Sequence, residues 1–226
     1  MTFTKTAKPF LAVAASVLLL AGVSSCGGGS STSSASSTPT SAAPSQSSTG
    51  SASASPSKKA AKTQAPVPVE SNPPGDIPDN LAFVKYSNKV GHYSFTHPEG
   101  WARTGRAAQV RFTDKLNGVA VTSLSASQAP SVSSARSSDV ARLKQSVPAF
   151  ALRGITTVSV PGGKGVRIVF RRNSAPDPVT GKVYRDEVEE YLVFSAGRLV
   201  RMDLYGPVGA DNVDAYRTMS QSLRVQ

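Results

Sequence analysis

The chain has 226 residues, a single cysteine and a formal net charge of +11. One cysteine excludes a disulfide within the chain, so a folded domain has to rely on core packing. Residues 27–75 consist mostly of Ser, Ala, Thr, Pro and Gly and contain no aromatic residue. Such a segment lacks the apolar side chains that would offset the entropy lost on ordering, which excludes a second folded domain there.

The N-terminal residues have the organisation of a secretion signal. Lys5 and Lys8 precede an apolar stretch, Phe10 to Val23, that is shorter than the about 20 residues of a membrane-spanning helix. Val23 to Cys26 resembles a bacterial lipobox, with an apolar residue and two small residues before the cysteine. We therefore predict a lipoprotein signal peptide at residues 1–25 and a diacylglyceryl group, with fatty acids such as palmitate, on Cys26. The alternative is an ordinary signal peptide and a cysteine without a role.

Residues 26–75 are predicted to be a disordered tether. A flexible chain of this length has a root-mean-square span of roughly 35–40 Å, so the domain would lie clear of the lipid head groups. Two acyl chains suffice for stable anchoring. The predicted location is therefore the cell membrane, with the domain on its extracytoplasmic side. Ser and Thr mixed with Pro are also typical of O-glycosylated stalks, which leaves glycosylation open.

The remaining residues, 76–226, are enough for one domain and carry 20 Lys and Arg against 13 Asp and Glu. A domain with a net charge near +7 is attracted to anionic surfaces. An exported protein meets little nucleic acid, and no basic run is interleaved with aromatic residues. The expected partners are the membrane, an envelope polyanion or another protein, and not nucleic acid. The alternative is dispersed charge that only keeps the domain soluble.

Period-two alternation of apolar and polar side chains predicts that strands dominate this domain. Two of the joining segments, Asp114–Gly118 and Pro161–Gly165, are predicted as tight turns, and connections this short make the sheet antiparallel. In chain order the predicted strands are Tyr93–His97, Ala108–Phe112, Val119–Leu124, Ile155–Val160, Val166–Phe170, Val183–Phe194 and Leu199–Tyr205.

Two segments change to helical spacing. Pro148 ends the first, and Asp211 is placed to cap the N-terminus of the second. The order of three strands, a helix, four strands and a helix predicts an α+β fold, in which an antiparallel sheet of six to seven strands packs against two or more helices. The apolar residues that recur at i, i+3 and i+7 are Val140, Leu143 and Val147 in the first helix and Tyr216, Met219 and Leu223 in the second.

The opening strand carries a resemblance. Residues Tyr93–Trp101 read YSFTHPEGW and resemble the Y-x-F-x-x-P-x-x-W opening of PsbP-like domains, which is also found in actinobacterial lipoproteins similar to LpqN. The order of elements over residues 81–226 is similar to theirs as well. The resemblance implies a PsbP-like sandwich that serves as a non-catalytic binding or accessory module, and it implies no catalytic residue.

Residue types typical of catalytic or metal sites are sparse. His92 and His97, the only histidines, would point to opposite faces of one strand and so cannot share a metal ion. Pro161–Gly165 contains Gly and Lys but leads into a strand, unlike a phosphate-binding loop. Trp101 is predicted to close the core rather than to stack on a sugar. We expect no metal or other cofactor, and a Ser that meets a base in space keeps an enzyme open as the alternative.

The acidic run Asp186–Glu190 is split by the alternation of a strand, because Glu187 and Glu189 face one way and Asp186 and Glu190 the other. We predict ion pairs on a solvated face rather than a calcium site. The neighbouring strands supply the basic partners Arg167, Arg171 and Arg201.

Four arginines are candidate contacts for an anion or a protein partner. Arg167 and Arg171 share a strand face, and Arg198 and Arg201 border the next hairpin. In the competing interpretation the acidic run neutralises these arginines and leaves no basic patch. The sequence thus predicts a membrane-anchored lipoprotein with a non-catalytic binding domain of unidentified ligand. The alternative is a cell-envelope hydrolase acting on wall polymer or lipid.

Overall fold

The computed structural model describes residues 64–226. The predicted signal peptide, Cys26 and most of the predicted tether lie outside the described residues. The helical elements are α1 (Val132–Ser134), a π-helical segment (Ala135–Asp139), α2 (Val140–Ser146) and α3 (Val213–Ser222). The strands are β1 (Phe83–Asn88), β2 (Tyr93–Pro98), β3 (Ala102–Thr104), β4 (Gln109–Asp114), β5 (Asn117–Ser125), β6 (Ala151–Val160), β7 (Gly163–Asn173), β8 (Arg185–Ser195), β9 (Arg198–Pro207) and β10 (Arg224–Val225).

Seven strands form one large sheet in the order β3-β4-β5-β9-β8-β7-β6, with antiparallel pairing throughout. A small antiparallel sheet has the order β1-β2-β10. The fold class predicted from the sequence, α+β with an antiparallel sheet of six to seven strands and helices packed on it, is confirmed. All seven predicted strands are present.

The two faces of the large sheet are buried by different elements. On the α3 face, Val193, Met202 and Leu204 pack with Phe95 of the small sheet and Met219 of α3. On the α2 face, residues of β7 and β8 pack against the helical segments, among them Ile168, Phe170, Leu192 and, from α2, Val140 and Leu143. Alternation along each strand therefore separates two apolar cores.

The turn between β4 and β5 differs from the prediction. It consists of Lys115 and Leu116, and Lys115 adopts a φ of 49°. Asn117 and Gly118 belong instead to β5. Gly118 is needed where it lies because a Cβ there would be 2.3 Å from the ring carbon Cζ of Tyr205.

The predicted cap of α3 was wrong by one residue. Asn212, not Asp211, is the N-cap, and its side chain does not bond to the first turn of the helix. Its Oδ1 accepts a hydrogen bond from the Ile77 backbone at 2.8 Å, and its Nδ2 donates to Asn117 Oδ1 at 3.0 Å. A tertiary bond to the segment that leads into the domain thus replaces the local cap.

Residues 64–78 form a leading segment without helix or strand that lies against the domain. Asn173 holds its start, donating to the Ala65 carbonyl at 2.8 Å and accepting from the Val67 backbone at 3.1 Å. Lys182 pairs with Glu70. The composition predicted that residues 64–75 belong to the tether. The contacts of Asn173 and Lys182 instead attach these residues to the domain.

Of the helices in residues 64–226, none combines the length and the apolar character needed to cross a membrane.

Candidate binding groove

A groove of about 320 Å³ lies between α3 and strands β6–β8, on the α3 face of the large sheet, and we call it the α3 groove. Arg167 of β7 and Tyr191 of β8 are register partners, so the antiparallel pairing places both side chains in its floor. One side of α3 forms the opposite wall. The residues that define the groove are Val158, Arg167, Glu189, Tyr191, Tyr216 and Gln221.

Charge in the α3 groove is arranged around Glu189. Arg167 Nη1 lies 3.5 Å from Glu189 Oε2, and the Tyr191 hydroxyl donates to the same oxygen at 2.8 Å. Arg167 Nε is buried and has no hydrogen-bond partner among residues 64–226. The Arg167 side chain as a whole is 37% exposed. The groove therefore presents the accessible part of this guanidinium, which is already paired with Glu189, to a ligand.

The tyrosines of the groove stay neutral at physiological pH. Burial raises the pKa of Tyr191, and burial also raises the pKa of Tyr216. A smaller cavity of about 90 Å³ adjoins the groove and shares Glu189 and Tyr216 with it. Together the two cavities are lined by apolar side chains, neutral tyrosine hydroxyls, the arginines Arg167 and Arg217, and the carboxylates of Glu187 and Glu189.

The four predicted arginines do not gather on one surface. Arg167 and Arg171 lie on the α3 face and pair with Glu189 and Glu187, the latter at 2.9 Å. Arg201 lies on the opposite face, and Arg198 makes no ion pair with the described residues. The ion pairs match the competing interpretation of the sequence, in which the acidic run neutralises Arg167 and Arg171. Of the four, Arg167 alone lines the α3 groove.

A cluster of buried charge lies on the α2 face. Glu190 is only 1% exposed and pairs with Arg142 of α2 at 3.0 Å and with Arg201 at 3.3 Å. Arg201 also reaches Asp139 at 3.5 Å. Burial and the neighbouring Asp203 raise the pKa of Glu190 to about 7, despite both arginines. This cluster fastens the helical segments to the sheet.

The predicted ion pairs of the acidic run are present, but their surroundings differ from the prediction. Asp186 pairs with Arg172 at 3.3 Å and is 3% exposed. Asp186 and Glu190 are therefore buried rather than on a solvated face. Arg142 and Asp139 of the helical segments lie over Glu190, and Arg172 pairs with Asp186; the strand alternation alone reveals neither arrangement.

His97 and Trp101 are core residues, which the sequence predicted for Trp101. The His97 ring stacks on Phe112 with centroids 3.6 Å apart, its Nδ1 donates to the Pro98 carbonyl at 2.8 Å, and burial lowers its pKa. Trp101 is 7% exposed. His92 lies in the turn before β2 with a φ of 54°. Residues 64–226 contain no cluster of His, Cys, Asp or Glu arranged to hold a metal ion.

The sequence indicated Arg167 as a candidate contact but did not indicate the other residues that line the α3 groove. Tyr216 belonged to the apolar spacing of α3, and Tyr191 and Gln221 stood out in no pattern. Strand register and the position of α3 bring these residues together from distant parts of the chain. The sequence carries no local signal for that juxtaposition.

No protein-family model matches the sequence, and no curated protein matches it. Several solved structures are similar at low identity. Cyanobacterial PsbP from Synechocystis has 17% identity and a TM-score of 0.44, over 69% of this chain and all of that one. LpqN of Mycobacterium tuberculosis, described as involved in cell envelope biogenesis, has 9% identity and a TM-score of 0.41, over 66% and 92%. A protein from Bacteroides thetaiotaomicron has 9% identity and a TM-score of 0.43; 63% of this chain spans only 48% of that protein. Representatives of both groups that the opening motif resembles are thus among the similar structures.

Proposed function

We propose that this protein is a lipoprotein, anchored to the outer side of the cell membrane through Cys26, whose domain binds a ligand in the α3 groove without transforming it. The observation that carries the binding role is the groove itself, which is lined by apolar side chains, by Tyr191 and Tyr216, and by the partly exposed Arg167. The anchoring rests on the lipobox-like Val23–Cys26 and on the single cysteine of the chain.

The contacts in the groove support binding rather than catalysis. Glu189 is engaged by Arg167 and by the Tyr191 hydroxyl, so its carboxylate holds these two side chains in place. His97 is stacked on Phe112 in the core and lines neither the α3 groove nor the cavity that adjoins it. A general base has to reach its substrate within hydrogen-bonding distance, and His97 is not placed to do so.

A groove-filling variant tests the proposal. Gln221 is exposed on α3 and lines the groove, so Gln221→Trp should occlude it and leave the core intact. Lys89→Trp, at an exposed turn, is the matched control. We expect the full-length protein and Lys89→Trp to retain the same molecule from envelope extract, and Gln221→Trp to lose it. Equal retention by all three proteins would contradict the groove assignment.

A further inference from the structure

The large sheet ends in a long unpaired edge. β6 pairs with β7 on one side only, and within residues 64–226 no other segment bonds to its outer backbone groups. A register shift interrupts the pairing between Leu152 and Gly154, after which Ile155–Val160 runs regularly. That stretch reads ITTVSV, without charge and rich in β-branched residues. Edge strands of this kind are templates for the addition of another strand.

A groove lies on each face of this edge. On the α3 face, Val158 and Val160 line the α3 groove. On the α2 face, a second groove of about 680 Å³ lies between β6 and the start of α1, and we call it the α1 groove. Its walls include Pro130 and Val132 on one side and Thr157 and Lys164 on the other. Side chains alternate along a strand, so an added strand would send its residues into the two grooves in turn.

Charge selects the occupant. Arg153 and Lys164 flank the uncharged stretch, are exposed, and make no ion pair with the described residues, whereas Arg167 in the α3 groove is already paired with Glu189. A second copy of this chain would bring Arg153 and Lys164 against the same charges. The chain's own residues 27–63 contain three lysines and no acidic residue, so they fit no better. An acidic partner is attracted where both of these are repelled.

We propose that the edge of β6 receives an extended peptide segment of a partner protein, with acidic side chains directed into the α1 groove, beside Lys164, and apolar ones into the α3 groove, against Val158 and Val160. This inference rests on the proposed binding role of the α3 groove and names the class of its ligand. Backbone hydrogen bonds to β6 would supply affinity, and the two grooves would supply specificity.

The probe is a short fluorescein-labelled peptide in which Val alternates with Glu, titrated into the full-length protein in detergent. The control peptide carries Lys in place of Glu. We expect the Glu peptide to bind, and to bind more weakly as salt rises, because exposed charges are screened over about 8 Å at physiological ionic strength. The Lys peptide should bind at least about tenfold more weakly, because its charges have the same sign as Arg153 and Lys164. Absence of Glu-peptide binding, or equal binding of the two peptides, overturns the inference.

N-methylation of the peptide tests strand addition without altering the protein. Along an added strand, alternate backbone N–H groups point to β6 and away from it. Methylating one alternate set should weaken binding about tenfold or more, and methylating the other set should weaken it less than about twofold, since each lost bond contributes about 1 kcal/mol. Equal effects of the two sets overturn strand addition.

The two proposals fail separately. If Gln221→Trp abolishes retention of the envelope molecule while the Glu peptide does not bind, the α3 groove remains a binding site and the peptide inference falls. If Gln221→Trp retains that molecule unchanged, the groove proposal falls, whatever the peptides do.

Discussion

Glu190 shows how a single residue couples the helical segments to the sheet. Its carboxylate is nearly inaccessible and faces Arg142 and Asp139 from the helical segments and Arg201 and Asp203 from β9. Removing two carboxylates from water on the same side of a sheet costs free energy that the arginines only partly offset. Burial accordingly raises the pKa of Asp203 as well as that of Glu190.

The pH dependence of stability follows from this raised pKa. In the native state the pKa of Glu190 is about 7, whereas the ordinary pKa of a glutamate is 4.5. Between these two pH values the native state therefore binds more protons than the unfolded chain. The free energy of unfolding therefore falls as pH rises from about 4.5 through about 7, and the stabilising contribution is complete only below that range.

Chemical denaturation at several pH values measures this slope. Glu190→Gln should flatten it, and Glu99→Gln, at an exposed turn, should leave it unchanged. A Glu190→Gln protein with the slope of the original would show that other groups cause it.

Trp101 contributes through packing. Its side chain is buried in the core between the large and small sheets. Trp101→Ala should lower the free energy of unfolding by about 3–5 kcal/mol, because the lost aromatic leaves a cavity that the neighbours fill only partly. Thermal and urea unfolding check this value. A loss below about 1 kcal/mol would mean that Trp101 is not part of the core.

At the scale of elements, the leading segment is fastened at both ends. Asn173 binds its first residues, and Asn117 and Asn212 bind Gly75 and Ile77 near its end. Ile77 is 5% exposed and belongs to the core beneath α3. Buried amide groups that exchange hydrogen bonds with backbone fix a segment that has no regular structure of its own.

Two deletions separate this segment from the tether. Removal of residues 27–63 should leave the melting temperature unchanged, because that stretch lacks apolar side chains. Removal of residues 27–75 should lower it, because Asn173 and Asn117 then lose buried partners at about 1–3 kcal/mol each. Identical melting temperatures for the two deletions would contradict the role of the leading segment.

The elements that the sequence predicted are those with a long periodic signal. Strands such as β7, whose Val166, Ile168 and Phe170 all enter one core, can be located from alternation alone. β3 and β10 span three and two residues and exist only through pairing with β4 and β2, so no local pattern marks them. The α3 groove was predicted only at Arg167, since its other walls come from register and helix placement.

For the whole molecule, the basic charge would act together with the proposed anchor. A domain near +7 is drawn toward anionic surfaces, while the ion pairs of Arg167 and Arg171 leave no continuous basic patch on the α3 face. The charge thus favours encounter with acidic partners, and the groove and the β6 edge supply the specific contacts of the proposed function.

Substitution of Cys26 should abolish the proposed lipid attachment. Cys26→Ser removes the acceptor thiol, so the variant should take up no labelled fatty acid and should be either secreted or retained by its uncleaved signal. Fractionation and metabolic labelling measure both effects. A Cys26→Ser protein that still incorporates fatty acid would refute the anchor.

Photo-crosslinking in living cells tests most directly whether a partner binds in the α3 groove. A benzophenone side chain is placed at Gln221 in the groove or at Lys89 on the exposed turn before β2. We expect a crosslinked product from position 221, located in the membrane fraction and dependent on Cys26, and none from position 89. Equal crosslinking at the two positions, or a product from position 89 alone, would contradict it.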